Sequence, residues 1–235
     1  MKGRKTALPG FGWKGILAAA GVYMMYTLVL PLLSDALTLW LESRRGVKVP
    51  AGAAMLLPYY ASFLLTAFVF KSFLTDALEP FFSRLFRSVG SVLAGMAVYI
   101  ALTMAVGWVL GMLEGDAGVS NPNDSLIETV YDSYRAEVIV MAVLLGPLVE
   151  EVIFRGAVFG SLWNRNRAAA YIISWLLFAL AHVATYTETY TGWNLPIYLA
   201  QYLPFSLAAA WCYQKSGSIW APVFMHMTAN LLSFL

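Results

Sequence analysis

The chain has 235 residues, 60% of them hydrophobic and only 12% charged, with a formal net charge of +2. A soluble domain carries about a quarter charged residues, so this composition excludes an ordinary soluble fold and specifies a polytopic membrane protein. The small charge excess, with no basic–aromatic cluster, excludes nucleic acid as a partner; the single cysteine, Cys212, excludes an internal disulfide and a cysteine metal site.

Residues 1–15 form a basic lead with Lys2, Arg4, Lys5 and Lys14. The uncharged run 16–33 is long enough to span a bilayer. It has the outline of a signal peptide, but no small-residue cleavage site follows it and more spans do, so it reads as a retained helix. Residues 34–50 read as a mixed-charge loop with an interfacial helix near 37–41. A second span covers 51–70, a polar amphipathic stretch 71–87, and a third span 88–113. The main non-membrane segment, 114–135, carries Glu114, Asp116, Asp124, Glu128 and Asp132. Within it, Ser125-Leu-Ile-Glu128 is a capping box that starts a short helix. The fourth span is 137–163 and is followed by a basic turn at 164–167. The fifth is 168–186, before a polar loop at 187–194. The sixth, 195–214, is bent at Pro204. After a turn at 215–217 comes the seventh, 218–235.

No linker, repeat or low-complexity tract divides the chain. One membrane domain over 1–235 is expected, with N-terminal spans and loops in 1–135 and a core in 136–235. The fold class is all-α, a polytopic transmembrane helical bundle of about seven to eight spans, depending on whether 34–50 or 114–135 dips into the bilayer. Basic residues favour the cytoplasmic side, which places the N-terminus inside and the acidic 114–135 segment outside. Trp13, Trp40, Trp163, Trp193 and Trp220 sit near expected span ends, as interfacial aromatics do.

The fourth span contains Gly146-Pro-Leu-Val-Glu-Glu-Val-Ile-Phe-Arg-Gly156. A charge at the bilayer centre costs roughly 2.5–3.5 kcal/mol on insertion scales, so Glu150, Glu151 and Arg155 must pair, face a wet cavity or do chemistry. Glu151 and Arg155 are four apart and share a helix face. Arg155 then holds Glu151 charged, and Glu150, about 100° round the helix, is left available. Pro147 removes a backbone hydrogen bond and frees a carbonyl near the carboxylates. A buried structural ion pair at a helix crossing stays open as the plainer reading.

Two further places break the apolar pattern: Phe178-Ala-Leu-Ala-His182, and His226-Met-Thr-Ala-Asn230 with its own four-residue spacing. Taken singly, each histidine reads as a packed residue, Phe178 as packing, and Asn230 as glue between helices. Taken together, a carboxylate, two imidazoles and an amide on separate helices form a hydrolytic centre. Glu150 suits a general base taking a proton from water. His182 suits orienting that water and protonating the leaving amine. His226 and Asn230 are donors for the oxyanion of a tetrahedral intermediate. A proton-relay transporter would use intramembrane carboxylates too, but no inverted repeat supports it.

The three motifs, in this order, resemble those of the CAAX-protease and bacteriocin-processing (CPBP, or Abi) family of intramembrane proteases: Glu-Glu-x-x-x-Arg, Phe-x-x-x-His, and His-x-x-x-Asn. Phe154-Arg155-Gly156 matches the family's usual continuation. The resemblance covers about 137–235. It implies endoproteolysis at the membrane of a prenylated CAAX protein, or of a bacteriocin or other peptide, in a prokaryotic plasma membrane. By carry-over, Glu150 and His182 activate the water, His226 and Asn230 form the oxyanion site, and Glu151 and Arg155 support them. Two cofactor schemes follow from the family: zinc on His182, His226 and Glu150, or a metal-free glutamate mechanism with no cofactor. The metal-free scheme is favoured, because Arg155 claims Glu151 and one carboxylate would otherwise serve twice. A non-proteolytic scaffold or immunity protein that kept the motifs is the alternative from another class.

Overall fold

Helix α1 runs unbroken over Trp13–Arg45, 33 residues, or about 50 Å at 1.5 Å per residue. It opens a computed structural model that describes residues 8–114, 127–128, 130–184 and 194–235. The basic lead before Leu8, the capping-box Ser125 with Asp116 and Asp124, and loop residues 187–193 including Trp193 lie outside the described residues.

The expected loop beginning at residue 34 is corrected as far as Arg45. After Pro31 no breaker interrupts the helix, and the stop comes at Gly46 with φ 64°. There the Val47 N–H bonds back to the Leu41 carbonyl at 3.2 Å, while Arg44 and Arg45 sit in the last turn against the negative helix end.

Helix α2 is Ala51–Val69, α3 is Lys71–Asp76, α4 is Leu78–Ser83 and α5 is Leu85–Glu114. The stretch 71–87 is therefore two short helices and the first turn of α5. Helix α6 covers 135–163 and is irregular, with π-helical turns at Val140–Leu145 and Val152–Gly160. Helix α7 is Arg167–Val183, started by the Asn166 side chain accepting from the Ala169 N–H at 3.0 Å. Helices α8, α9 and α10 are Asn194–Gln201, Leu203–Ser216 and Trp220–Leu232. The expected sixth span is thus two helices that break at Tyr202, not one that bends at Pro204. Pro204 lies in the first turn of α9, where its missing N–H has no helical partner to lose.

The result is an all-α membrane helical bundle. Among the described residues, three helices are long and apolar enough to cross a membrane, Trp13–Arg45, Ala51–Val69 and Leu85–Met112. These outer helices expose Leu17, Leu64, Phe68, Leu93 and Met104, an apolar surface suited to lipid. Helix α9 lies inside, packed on α5, α7 and α10. Its Ala208, Ala209, Ala210 and Cys212 are buried, and such small side chains let helices approach closely. Opposite them, a Cβ on Gly95 of α5 would stand 2.7 Å from the Met225 sulfur.

An N-terminal strap closes one end of α6. The Phe11 N–H donates to Ser161 Oγ at 2.9 Å, and the Tyr213 hydroxyl donates to the Pro9 carbonyl at 2.6 Å. Gly10 and Gly160 meet backbone to backbone, with no room for a Cβ on either.

Candidate active site

The site is built on the irregular middle of α6. Pro147 has no N–H, so the helix cannot close its normal bond there. Just before it the turn widens, and the Gly146 N–H bonds five residues back to the Met141 carbonyl. In that register the next carbonyl, Ala142, would need the N–H that Pro147 lacks. The Asn230 side chain supplies the donor instead, from α10, with Nδ2 at 2.7 Å. The second wide stretch, Val152–Gly160, follows the two carboxylates, and there Ser174 of α7 donates to the Phe154 carbonyl at 3.0 Å. Both wide turns are therefore tied to the neighbouring helices that carry the other motif residues. Such π-helical turns recur at functional sites.

Behind the site lies a dry charged layer. Glu151 and Arg155 are each 0% exposed, and Arg155 Nη1 donates to Glu151 Oε1 at 3.1 Å. The expected pair is present. Its guanidinium also lies over the rings of Phe178 and Phe205, 4.4 and 5.4 Å from their centroids, which offsets part of the cost of burying the charge. Phe178 is therefore more than the packing residue expected of it. It covers Arg155, and its carbonyl accepts from His182 Nδ1 at 2.8 Å. A second bond on Glu151 was not foreseen: His226 Nδ1 donates to the same Oε1 at 2.9 Å. Glu151 thus orients an imidazole 75 positions away as well as pairing within its own helix.

In front of this layer stands Glu150. Its Oε2 lies 3.6 Å from His182 Nε2 and 3.9 Å from His226 Nε2. Both gaps are too long for good direct hydrogen bonds. They suit a water molecule between them, which has two hydrogens and can donate to two of the three atoms at about 2.8 Å each. Both rings have Nδ1 committed, to a carbonyl and to a carboxylate, so Nε2 is the reactive atom of each. Rings pack them in place: Tyr202 and Phe178 against His182 at 4.8 and 4.4 Å, and Phe205 against His226 at 4.4 Å. The other oxygen of Glu150, Oε1, accepts from the Tyr26 hydroxyl of α1 at 3.3 Å. Tyr26 escaped the sequence reading. Its one signal is position, a tyrosine in mid-span where interfacial placement would put it at an end.

Glu150, His182, His226 and Asn230 all line one cavity of about 1350 Å³ between α1, α2, α5 and the core helices. The structure brings the first three to a common point. Asn230 reaches the cavity with one amide N–H already committed to Ala142. The zinc reading needs His182, His226 and Glu150 to act together as ligands. Among the described residues, no group of three His, Cys, Asp or Glu side chains is arranged to hold a metal ion. No step is routed through a metal.

A profile of the family described as "Type II CAAX prenyl endopeptidase Rce1-like" matches residues 133–232. The chain is 30% identical over 150 residues to UPF0177 protein YxdF of Lactococcus lactis, covering 63% of this chain and 74% of that protein. The chain belongs to the Rce1-like CAAX protease family. It is also 32% identical over 146 residues to the membrane-embedded CAAX protease MroQ of Staphylococcus aureus, covering 59% of this chain. That match spans about half of MroQ, 53% of its length. No solved structure matches the chain. The family match spans all seven motif residues, from Glu150 to Asn230, and it leaves out α1 with Tyr26.

Proposed function

We propose that the protein is an intramembrane endopeptidase that hydrolyses a peptide bond with water activated by Glu150 and His182, without a metal. The observation that carries this reading is the meeting of Glu150 Oε2 with two imidazole Nε2 atoms, at 3.6 and 3.9 Å, inside a cavity. A carboxylate at that point accepts a proton from water as the oxygen attacks the scissile carbonyl. His182, with Nδ1–H on the Phe178 carbonyl, presents a lone pair at Nε2. It steadies the water, then takes the proton from Glu150 and hands it to the leaving nitrogen as the C–N bond breaks.

Stabilising the oxyanion falls to His226 and Asn230. His226 gives its Nδ1–H to Glu151, so its Nε2 can donate only when the ring carries both protons. The Glu151 carboxylate is the partner that form requires. Asn230 has a second amide N–H beyond the one held by Ala142. MroQ is named a CAAX protease, and we carry that substrate class to this chain: a prenylated CAAX protein, with a peptide precursor as the second candidate.

The test is cleavage by purified protein in lipid nanodiscs of a peptide library that includes prenylated CAAX ends, with product masses read out. Glu150→Gln and His182→Ala are expected to lose at least about a thousandfold in kcat/KM, a loss in the range seen when a base or its partner is removed. Metal analysis of the active fractions accompanies the assay. Near-normal turnover by Glu150→Gln would overturn the assignment. Stoichiometric zinc with chelator-sensitive turnover would overturn its metal-free form. A biological role kept intact by both variants would point to a scaffold or immunity protein instead.

A further inference from the structure

Glu150 is held from the side opposite the histidines, by a helix that lies outside the family match. Tyr26 belongs to a wide turn of α1, Met25–Val29. This turn precedes Pro31 as the Val140–Leu145 turn precedes Pro147. Its hydroxyl donates to Glu150 Oε1 at 3.3 Å. The ring is gripped edge to face by Tyr59 of α2, centroids 5.6 Å apart. One turn earlier, Tyr23 packs edge to face on Phe154 of α6 at 6.0 Å. Tyr23, Tyr26, Tyr59 and Glu150 all line the same cavity.

A carboxylate on a flexible side chain has two equivalent oxygens and several rotamers. With Oε1 held by Tyr26, Oε2 is the oxygen that faces the two imidazoles. Helix α6 supplies no other fixed donor to Glu150, because its own cation, Arg155, is spent on Glu151. Gly146, one turn before Glu150, keeps the approach narrow but open: a Cβ there would lie 3.6 Å from Glu150 Oε1 and 3.9 Å from the Tyr26 hydroxyl.

We infer that Tyr26 is a positioning residue, one that orients Glu150 through its hydroxyl so that Oε2 serves as the base. This rests on the hydrolytic reading above. It gives the first transmembrane helix a part in the reaction beyond enclosing the site. A hydrogen bond from a neutral donor to a charged acceptor is a moderate interaction, and 3.3 Å is long for one of its kind.

Tyr26→Phe removes the hydroxyl and keeps the ring against Tyr59. The expected result is a fall in kcat of about tenfold, with KM within about twofold and the thermal midpoint unchanged, because only a contact to the base is lost. Tyr60→Phe, on the exposed side of α2, serves as the control, with kcat near wild type. Glu150→Gln is measured beside them. Wild-type kcat in Tyr26→Phe, next to an inactive Glu150→Gln, overturns the role of Tyr26 alone. Turnover surviving in both overturns the hydrolytic reading and this inference with it. A rise in KM at constant kcat would make Tyr26 a substrate contact and overturn the positioning role. If Tyr26→Phe lowers the thermal midpoint, Tyr26→Trp supplies a second ring without the phenol. Wild-type kcat in that variant overturns the inference, and a tenfold loss supports it.

Discussion

At the scale of single residues, the dry layer behind Glu150 is the most exposed to mutation, in the sense that each member depends on the others. Glu151 Oε1 accepts from both Arg155 and His226, and all three are buried. Removing one partner of a buried ion pair costs about 3–5 kcal/mol, because the remaining charge is uncompensated. Arg155→Met is therefore expected to lower the thermal midpoint sharply in detergent. The double variant Glu151→Gln/Arg155→Met should recover much of the loss in stability yet stay inactive, because His226 loses its carboxylate. A thermal-shift series with parallel turnover assays checks both. Asn230→Ala leaves the Ala142 carbonyl without its donor, at a cost of about 1–3 kcal/mol. Denaturation of that variant should show the loss even where the assay cannot see residual activity.

Helix α6 shows what one proline does to an element. Because Pro147 cannot donate, a carbonyl is released and an amide from another helix takes it. Pro147→Ala restores the missing N–H, which then competes with Asn230 for Ala142. The fold should hold, since alanine suits a helix better than proline, while kcat falls by about ten- to a hundredfold as the amide loses its anchor and shifts. Circular dichroism, thermal midpoint and turnover of this variant together decide the matter.

The released carbonyl was legible in the sequence, as was the Glu151–Arg155 pair, because both are local and obey helix geometry. The bond from His226 to Glu151 was not, since it joins helices 75 positions apart and spacing says nothing across that distance. Nor was the length of α1. Ser34, Asp35 and Glu42 read as a loop, but none of them breaks a helix, and the true stop is the left-handed Gly46. The break at Tyr202 was hidden for a similar reason, with Pro204 drawing attention to itself while lying in the first turn of α9.

Across the whole molecule, the strap of residues 8–11 ties the beginning of the chain to the end of α6 and to Tyr213 of α9. Gly10 and Gly160 make that contact possible because neither has a side chain to intrude. Gly160→Ala forces a methyl group into the Pro9 carbonyl. Overpacking of this kind costs about 1–3 kcal/mol. The variant should lose thermal stability and become easier to cleave near its N-terminus by an added soluble protease. An unchanged proteolytic pattern would show that the strap is dispensable.

The helices also differ in length. Helix α1 would reach about 50 Å, whereas α9 has 14 residues and α10 has 13, close to 20 Å each at the same rise. The outer helices are thus long enough to span a hydrocarbon layer of about 30 Å, but the pair that carries His226 and encloses Arg155 is not. Phe224, Leu231 and Leu232 of α10 face outward, so lipid must meet that short wall directly and thin beside it, at a modest cost for each ångström of mismatch. Reconstitution into vesicles of graded acyl-chain length should make this visible, with hydrolysis fastest in short-chain lipid and slowing as the chains lengthen.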